Sequence, residues 1–154
     1  MKRTIVGFRQ DEESDWVAEL ACGHGQHVRH QPPFFNRPWV EKESSREEKL
    51  GVQLNCIRCD AFELPDSMQH YKSTPVFNSE NLPLALQRAH LTKPGVWAQI
   101  HAIFGGLEYV VLEPMNRQFK ILPGSPGIVL PEVPHFIKPK GQVLVQVAFF
   151  KRWS

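Results

Sequence analysis

The feature that most constrains this chain is its set of three cysteines, two of which form the motif Cys56-Ile-Arg-Cys59. An odd number of cysteines argues against a disulfide framework, and clustered cysteines in a reducing compartment are more often metal ligands or redox groups. Two thiolates separated by two residues can reach one ion from a single tight turn. The third thiolate, Cys22, is followed two residues later by His24. The sequence therefore predicts one zinc site whose ligands are Cys22, His24, Cys56 and Cys59.

The identity of the histidine ligand stays open, because His27 can also meet the Cys56/Cys59 pair, whereas His30 lies beyond the site. A thioredoxin-like redox role for the pair requires a helix that starts at Cys56 inside a βαβ unit, and the sequence indicates none. The remaining alternative is a set of ordinary buried thiols. Ligand type, ligand number and compartment together favour zinc, and a module of about 60 residues has so little core that metal binding would support its folding.

The first sixty residues are typical of a small α+β, zinc-ribbon-like module. Strand-like runs cover Thr4–Arg9 and Trp16–Leu20, and the polar segment between them predicts a hairpin loop. A short helix is predicted over Glu43–Leu50. Ser44 and Ser45 are its candidate N-caps, since a glutamate follows each of them three positions later.

Beyond residue 70 the chain consists of short β runs punctuated by glycine and proline, a spacing that predicts a sandwich or barrel. Val96–Phe104 and Leu107–Leu112 are predicted to pair across a tight turn at Gly105-Gly106. The other runs are Phe119–Leu122, Gly127–Leu130, Pro134–Lys138 and Val143–Phe150. Alternation places Ala98 and its apolar neighbours on the core face, His101 on the outer face, and His135 inward.

The segment 63–70 is polar and has no periodicity, so it is predicted to be a linker. The expected organisation is a zinc-binding domain over residues 1–62 and a second domain over 71–154. No apolar run approaches the roughly 18 residues of a membrane span, and the apolar stretch after Met1-Lys2-Arg3 ends at Phe8. We therefore expect a cytoplasmic protein without a membrane partner.

Several motifs of the first half resemble a bacterial family of unknown function over about residues 1 to 61. They are Trp16-Val-Ala-Glu-Leu, Cys22-Gly-His-Gly-Gln-His-Val-Arg-His-Gln-Pro-Pro, Arg37-Pro-Trp-Val and Cys56-Ile-Arg-Cys-Asp60. The resemblance supports the module but implies no activity. Arg29, His30, Arg37 and Trp39 mix cations with aromatic faces, as sites for anions or single-stranded bases do, although a solvated rim around the zinc site is the favoured interpretation.

The second half resembles the cupin-like domain named for tellurite resistance, over about residues 70 to 152. The motifs are Tyr71-Lys-Ser-Thr-Pro-Val-Phe-Asn78, His90-Leu-Thr-Lys-Pro-Gly-Val-Trp97, Gly106-Leu-Glu-Tyr109 and Leu130-Pro-Glu-Val-Pro-His135. The resemblance implies a double-stranded β-helix barrel that allows a homodimer, and an association with tellurite or nitrogen-oxyanion stress. It allows a second divalent metal at His90 and His135, with Zn2+, Fe2+, Ni2+ and Mn2+ all admissible, and the alternative is that both are structural histidines. The chain departs from the cupin pattern, since it has no His-x-His pair and has Gln99 where a carboxylate is expected.

Charge is divided unevenly along the chain. Residues up to Gln69 contain nine lysines and arginines against twelve acids, a net −3, whereas the remainder has nine against four, a net +5. Arg88, Lys93, Lys138 and Lys140 surround the two barrel histidines in sequence and favour an anionic ligand, with a solvated basic face as the alternative. The acidic first half argues against nucleic acid as a partner.

Three functions follow from these features. The favoured one is a metal-binding protein that binds or senses a small, anionic ligand under oxyanion or nitrosative stress. The second is a cupin metalloenzyme, an oxygenase or isomerase, with its metal at His90 and His135; a full ligand set and a general base are missing from the sequence of the barrel. The third is a nucleic-acid accessory protein that acts through the zinc module.

Overall fold

The protein contains two antiparallel sheets, and its structure is a computed structural model that describes residues 1–152. The chain divides into an N-terminal unit, Met1–Cys59, and a C-terminal unit, Asp60–Ser154. Strands predominate over helices in both, which confirms the prediction of a mainly β protein. Among the 152 described residues, no helix has the length and apolarity needed to cross a membrane.

The sheet of the N-terminal unit has four strands in the order β3-β2-β1-β4. Their bounds are β1, Lys2–Gln10; β2, Trp16–Leu20; β3, Gly25–His27; and β4, Gln53–Asn55. The first two agree with the predicted hairpin, and the loop between them is closed by the Asp11 carboxylate, which accepts hydrogen bonds from the backbone N–H groups of Glu13 and Asp15. Ile5, Val17, Leu20 and Val28 are among the buried apolar residues of this core.

Helices occupy little of the N-terminal unit, and the predicted capping of the main one is wrong. Helix α1 covers Glu43–Glu48, and a 3-10 helix over Pro38–Glu41 leads into it. Lys42 is the N-cap of α1, without a side-chain hydrogen bond, so Ser44 and Ser45 lie inside the helix. The helix begins directly after the 3-10 helix, earlier than the serine–glutamate pattern indicates. The lysine at its N-cap position makes no capping hydrogen bond with its side chain. Helix α2, Ile57–Asp60, completes the unit.

The C-terminal unit contains a six-stranded sheet in which β5-β10-β7-β8 are neighbours, β6 pairs with β10, and β9 pairs with β7. The strands are β5, Met68–Ser73; β6, Phe77–Asn78; β7, Trp97–Val111; β8, Arg117–Ile121; β9, Gly127–Val129; and β10, His135–Arg152. A 3-10 helix covers Leu84–Gln87. Strands β7 and β10 pair along most of their length and dominate the sheet.

The predicted tight turn at Gly105-Gly106 does not exist, because both glycines lie inside the continuous strand β7. The register of β7 with β10 shifts between Lys140 and Leu144, opposite these glycines. Gly105 has a φ of +76°, and a Cβ atom there would lie 2.2 Å from the carbonyl oxygen of Gln142. The glycine thus accommodates an irregularity with close backbone approach, a role that sequence alone does not separate from a hairpin turn.

The alternation predicted for β7 holds over part of the strand. Ala98, Ile100 and Ala102 are buried as expected, whereas Phe104 is 56% exposed because it directly precedes the irregularity at Gly105. Trp97 is fully buried although alternation places it on the opposite face, so both faces of the strand are covered at its beginning. His135 is only 3% exposed, in agreement with its predicted inward direction.

Candidate metal centre

Strand pairing in the N-terminal sheet brings together Cys22 and Cys56, which are 34 positions apart in the sequence. Strand β1 lies between β2 and β4 and is antiparallel to both, with Ile5 opposite Leu20 and Lys2 opposite Asn55. The carboxyl ends of β2 and β4 therefore lie at the same end of the sheet, on either side of the start of β1. Cys22 and His24 follow the end of β2, and Cys56 and Cys59 follow the end of β4.

The donor atoms of these four residues form one buried cluster in which all lie within 4.8 Å of one another. The Sγ atoms of Cys22 and Cys56 are 3.8 Å apart. Nδ1 of His24 lies 3.5 Å from Sγ of Cys22, 3.3 Å from Sγ of Cys56 and 3.6 Å from Sγ of Cys59. The imidazole nitrogen thus faces all three sulfurs.

Local backbone geometry orients the two halves of the cluster. The N–H of Leu20 donates to the carbonyl of His24, and Gly23 adopts a φ of +97° in the turn that carries Cys22. Glycine suits this position because the left-handed region is strained for side chains. On the other half, the backbone N–H of Cys59 donates to Sγ of Cys56, 3.4 Å away. Such a bond stabilises negative charge on the sulfur.

The structure distinguishes between the two histidines that the sequence left open. His24 is 2% exposed and joins the three sulfurs. His27 is exposed, and its Nε2 atom lies 2.9 Å from Oδ2 of Asp11, a contact that lowers the pKa of the Asp11 carboxyl. The side chain of His30 also lies outside the cluster, where its Nδ1 accepts a hydrogen bond from the backbone N–H of Arg37.

Electrostatics in the cluster favour a cation. Burial disfavours the imidazolium of His24, but hydrogen bonds with Cys22 and Cys56 outweigh burial and raise the pKa of His24 to about 9. A hydrogen bond with Cys22 lowers the pKa of the Cys56 thiol, whereas bonds with Cys22 and Cys56 together with burial raise the pKa of Cys59. Three sulfurs this close cannot all ionise in a buried site unless a positive charge lies among them.

Arg3 is a participant that the sequence did not indicate. Its side chain is 6% exposed, and its positive charge acts to lower the pKa of Cys59, against the effect of the neighbouring sulfurs. The position follows from alternation on β1, which turns both Arg3 and Ile5 into the core. Three thiolates and a divalent cation carry a net charge of −1, which a buried arginine offsets.

In the C-terminal unit, His90 and His135 are adjacent. Each donates its backbone N–H to the other's carbonyl oxygen, at 3.0 and 2.9 Å, and their ring centroids are 4.2 Å apart. Nδ1 of His90 is 2.8 Å from the carbonyl of Arg88, and Nδ1 of His135 is 2.9 Å from that of Val133. A carbonyl only accepts, so in the neutral form of each ring Nδ1 carries the proton and Nε2 has the lone pair.

These two histidines line a cavity of about 260 Å³. Most of its wall is apolar, with Ile100, Ile137 and Phe149 among the side chains, and Lys72 and Lys93 supply the positive charge. Burial lowers the pKa of His135 to about 4, with a further contribution from His90. Within residues 1–152 the only group of three or more metal-ligating side chains is the N-terminal cluster, so His90 and His135 have no third such partner.

Of the four basic residues predicted around these histidines, one lines the cavity, namely Lys93. Nζ of Lys140 instead lies 3.3 Å from a carboxylate oxygen of Glu108, and Nζ of Lys138 lies 5.4 Å from the ring centroid of Phe136. Lys72, which the sequence did not single out, does line the cavity. Strand β5 supplies it by pairing with β10, a long-range contact without a local signal.

Residues 6–63 match the family described as "Protein of unknown function (DUF3565)", and residues 72–147 match the TehB-like domain. No curated protein sequence matches the chain. A solved structure of an E. coli (strain K12) protein is similar at 23% identity and a TM-score of 0.55, over 60% of this chain and 98% of that one. TehB from Haemophilus influenzae is similar at 24% identity and a TM-score of 0.52, over 56% of this chain and 32% of TehB.

Both family resemblances seen in the sequence are thereby confirmed. The chain matches about a third of the length of TehB, and at these identities the structural likeness shows the fold alone.

Proposed function

We propose that this chain, which joins a region of the DUF3565 family to a TehB-like domain, binds zinc in its N-terminal unit and a small anionic ligand in its C-terminal unit. The observation that carries the proposal is the buried Cys22, His24, Cys56 and Cys59 cluster. The zinc site would make the N-terminal unit a rigid, zinc-ribbon-like module, and the C-terminal unit would be a cupin-like ligand-binding barrel.

The distances in the cluster support tetrahedral zinc. Zinc–sulfur bonds of about 2.3 Å and zinc–nitrogen bonds of about 2.0 Å at tetrahedral angles place two sulfurs about 3.8 Å apart and a sulfur and a nitrogen about 3.5 Å apart. The Cys22–Cys56 separation is 3.8 Å, and the three sulfur–Nδ1 separations lie between 3.3 and 3.6 Å. An ion at the centre would meet four ligands with little rearrangement.

Such a site would be structural and not catalytic. Catalytic zinc keeps a position for water or substrate, whereas four protein ligands fill the tetrahedron. The metal would supply folding free energy and would hold the turn after β2 against the knuckle after β4. His24 and the three thiolates would bind it, and Arg3 would offset the excess negative charge.

The test is the metal content of protein purified without added metal. We expect one zinc per chain by elemental analysis, with the same value for His27→Asn and less than a tenth of it for His24→Ala combined with Cys59→Ser. The exposed His27 is the matched control, since it lies three residues from His24. Full-length, folded protein that contains no zinc would contradict the proposal, as would equal loss of metal in the control.

Ligand binding in the C-terminal unit is supported by the charge of its cavity. The lining includes Lys72 and Lys93, and no carboxylate of residues 1–152 is part of it. His135 is buried and neutral at pH 7, and its Nε2 can accept a hydrogen bond from a protonated group of the ligand. A small anionic ligand fits beside the two lysines of this wall.

We extend the proposal to stress by oxyanions, because the domain is TehB-like. Tellurite, nitrite and nitrate are the probes for calorimetric titration of the full chain. Lys72→Ala should weaken binding of whichever anion binds. Unchanged affinity in that variant, or no binding of any of the three, would contradict the oxyanion assignment. A homodimer through this unit and a cytoplasmic location belong to the same proposal.

A cupin metalloenzyme is the second candidate, and the tautomers of His90 and His135 favour it. Both rings have Nδ1 anchored to a carbonyl, the arrangement that orients imidazoles toward a metal through Nε2. Two imidazoles would leave the rest of a Zn2+, Fe2+, Ni2+ or Mn2+ sphere to water or substrate.

Elemental analysis separates the two candidates. The double variant His90→Ala/His135→Ala should keep its zinc, and a second metal that disappears only in this variant would favour the metalloenzyme alternative. A nucleic-acid accessory role through the zinc module would require the N-terminal unit to bind a nucleic-acid strand.

A further inference from the structure

A second concavity, which the proposed function does not use, lies on the N-terminal unit and has a volume of about 350 Å³. Its lining includes three arginines, Arg29, Arg37 and Arg58, and one aromatic ring, Phe35. These residues come from different segments of the unit: the end of the β3 region, the loop before the 3-10 helix, and the Cys56–Cys59 knuckle. Tertiary structure therefore gathers guanidinium groups that the sequence separates.

The charge of this concavity is only partly balanced. Asp15 pairs with Arg29 at 3.2 Å, and Asp11 lies 2.9 Å from His27. Arg37 and Arg58 make no ion pair with a carboxylate within the 152 described residues. In addition, Nε of Arg29 is buried and has no hydrogen-bond acceptor in that part of the chain. The concavity thus has surplus positive charge and donors without acceptors.

Short hydrogen bonds fix the loop that supplies Phe35 and Arg37. Gln31 and Phe35 exchange two backbone hydrogen bonds of 2.8 and 2.9 Å, which close the intervening turn. The N–H of Arg37 donates to Nδ1 of His30 at 3.0 Å. The ring of Phe35 remains 45% exposed, and the guanidinium carbon of Arg37 lies 5.8 Å from its centroid. The guanidinium group of Arg37 therefore lies over the Phe35 ring, and the exposed part of the ring stays accessible to a ligand.

We infer that this concavity binds a nucleoside phosphate, with the phosphate on the arginines and the base packed on Phe35. Guanidinium groups match phosphate oxygens in geometry and charge. Every base has a π-face that stacks on an aromatic side chain, so the site would tolerate different bases. None of the lining arginines, nor Phe35, belongs to the four-ligand cluster, so substitution of these residues leaves all four zinc ligands in place.

The experiment is calorimetric titration of the full-length protein with AMP, with adenosine and inorganic phosphate as partial ligands. AMP should bind more tightly than either part. Arg37→Ala and Arg58→Ala should each weaken AMP binding by about tenfold, the loss expected for one charge-assisted hydrogen bond. Phe35→Ala should weaken AMP but leave inorganic phosphate unchanged. Lys2→Ala, which removes one exposed charge from strand β1, is the matched control and should bind AMP as the parent does.

Titration with a short single-stranded oligo(dA) tests whether the ligand is a free nucleotide or part of a nucleic-acid strand. Tighter binding than AMP, with the same dependence on Arg58, identifies a strand as the source, and equal binding identifies a free nucleotide. Phosphate that binds as tightly as AMP, or AMP affinity that is unchanged in both arginine variants, would overturn the inference. So would an absence of AMP binding. Zinc content is measured on every variant, so failure of the metal proposal remains separate from failure of this one.

Discussion

The two units differ in how much apolar burial is available to stabilise their β structure. Residues 1–59 bury six apolar side chains other than cysteine, whereas residues 60–152 bury sixteen. The longest strand of the N-terminal unit has 9 residues, and β10 of the C-terminal unit has 18. A unit with so few buried apolar groups needs another source of stability, and the Cys/His cluster is the candidate. The comparison indicates that, where few apolar groups are buried, a buried cluster of metal-ligating side chains is the other available source of stability.

Among the changes that test this difference between the two units, removal of one thiolate should have the largest effect. Cys59→Ser is expected to abolish cooperative folding of the N-terminal unit, because structural zinc supplies on the order of 10 kcal/mol to modules of this kind. Hydrogen exchange followed by mass spectrometry checks it: peptides from β1 and β2 should lose protection, while those from β7 and β10 keep it. Chelation of the metal from the parent protein should reproduce the pattern. Retained protection in β1 would show that the apolar core suffices.

Truncation of a core side chain should instead destabilise the C-terminal unit and leave the N-terminal unit unchanged. Leu107 is fully buried in β7, and Leu107→Ala is expected to destabilise the C-terminal unit by about 3 kcal/mol through lost burial and the resulting cavity. Denaturant unfolding measures the change, and zinc content should stay at one per chain. Leu84→Ala, at a position 64% exposed, is the control and should cost no more than about 0.5 kcal/mol.

Acid should affect the C-terminal unit through His135. Burial lowers the pKa of His135 from 6.5 to about 4, so between these values the unfolded chain binds a proton that the folded unit does not. Stability is therefore complete above pH 6.5 and falls as the pH decreases toward 4. Linkage gives a loss of about 2 kcal/mol between pH 7 and pH 5.

Unfolding measured as a function of pH checks this expectation. His135→Asn, whose amide can donate to the carbonyl of Val133, should lack that loss, while His70→Asn at an exposed position should retain it. An identical pH profile in the His135 variant would contradict the assignment.

The smallest effect should come from a surface contact of the N-terminal unit. The guanidinium carbon of Arg46 lies 3.7 Å from the ring centroid of Trp16, and its Nη1 donates to the carbonyl of Val40 at 2.7 Å. Arg46→Ala is expected to cost about 1 kcal/mol in thermal unfolding of zinc-loaded protein. Arg46→Lys keeps the charge but not the planar stacking, so it should recover part of the loss. Full recovery would assign the effect to charge alone.

Residue types and spacing by themselves determined that the protein is mainly β, which motifs identify its two regions, and which three cysteines belong to the cluster. Metal-ligand chemistry requires particular side chains, so Cys22, Cys56 and Cys59 stand out without any knowledge of the fold. Strand alternation likewise predicted that His135 is buried. These inferences succeed because they depend on local periodicity or on chemical identity.

Only the tertiary structure decided between His24 and His27 as the fourth member of the cluster. It also showed that the predicted strands on either side of Gly105 form one continuous strand. Finally, it brought Arg3, Lys72 and Arg58 to their sites. Each of these outcomes depends on which strand lies beside which. Pairing of β1 with both β2 and β4 places His24 among the sulfurs, and pairing of β10 with β5 supplies Lys72 to the cavity. Contacts between distant segments leave no periodic signal in the chain, because their free energy arises only when the sheet has formed.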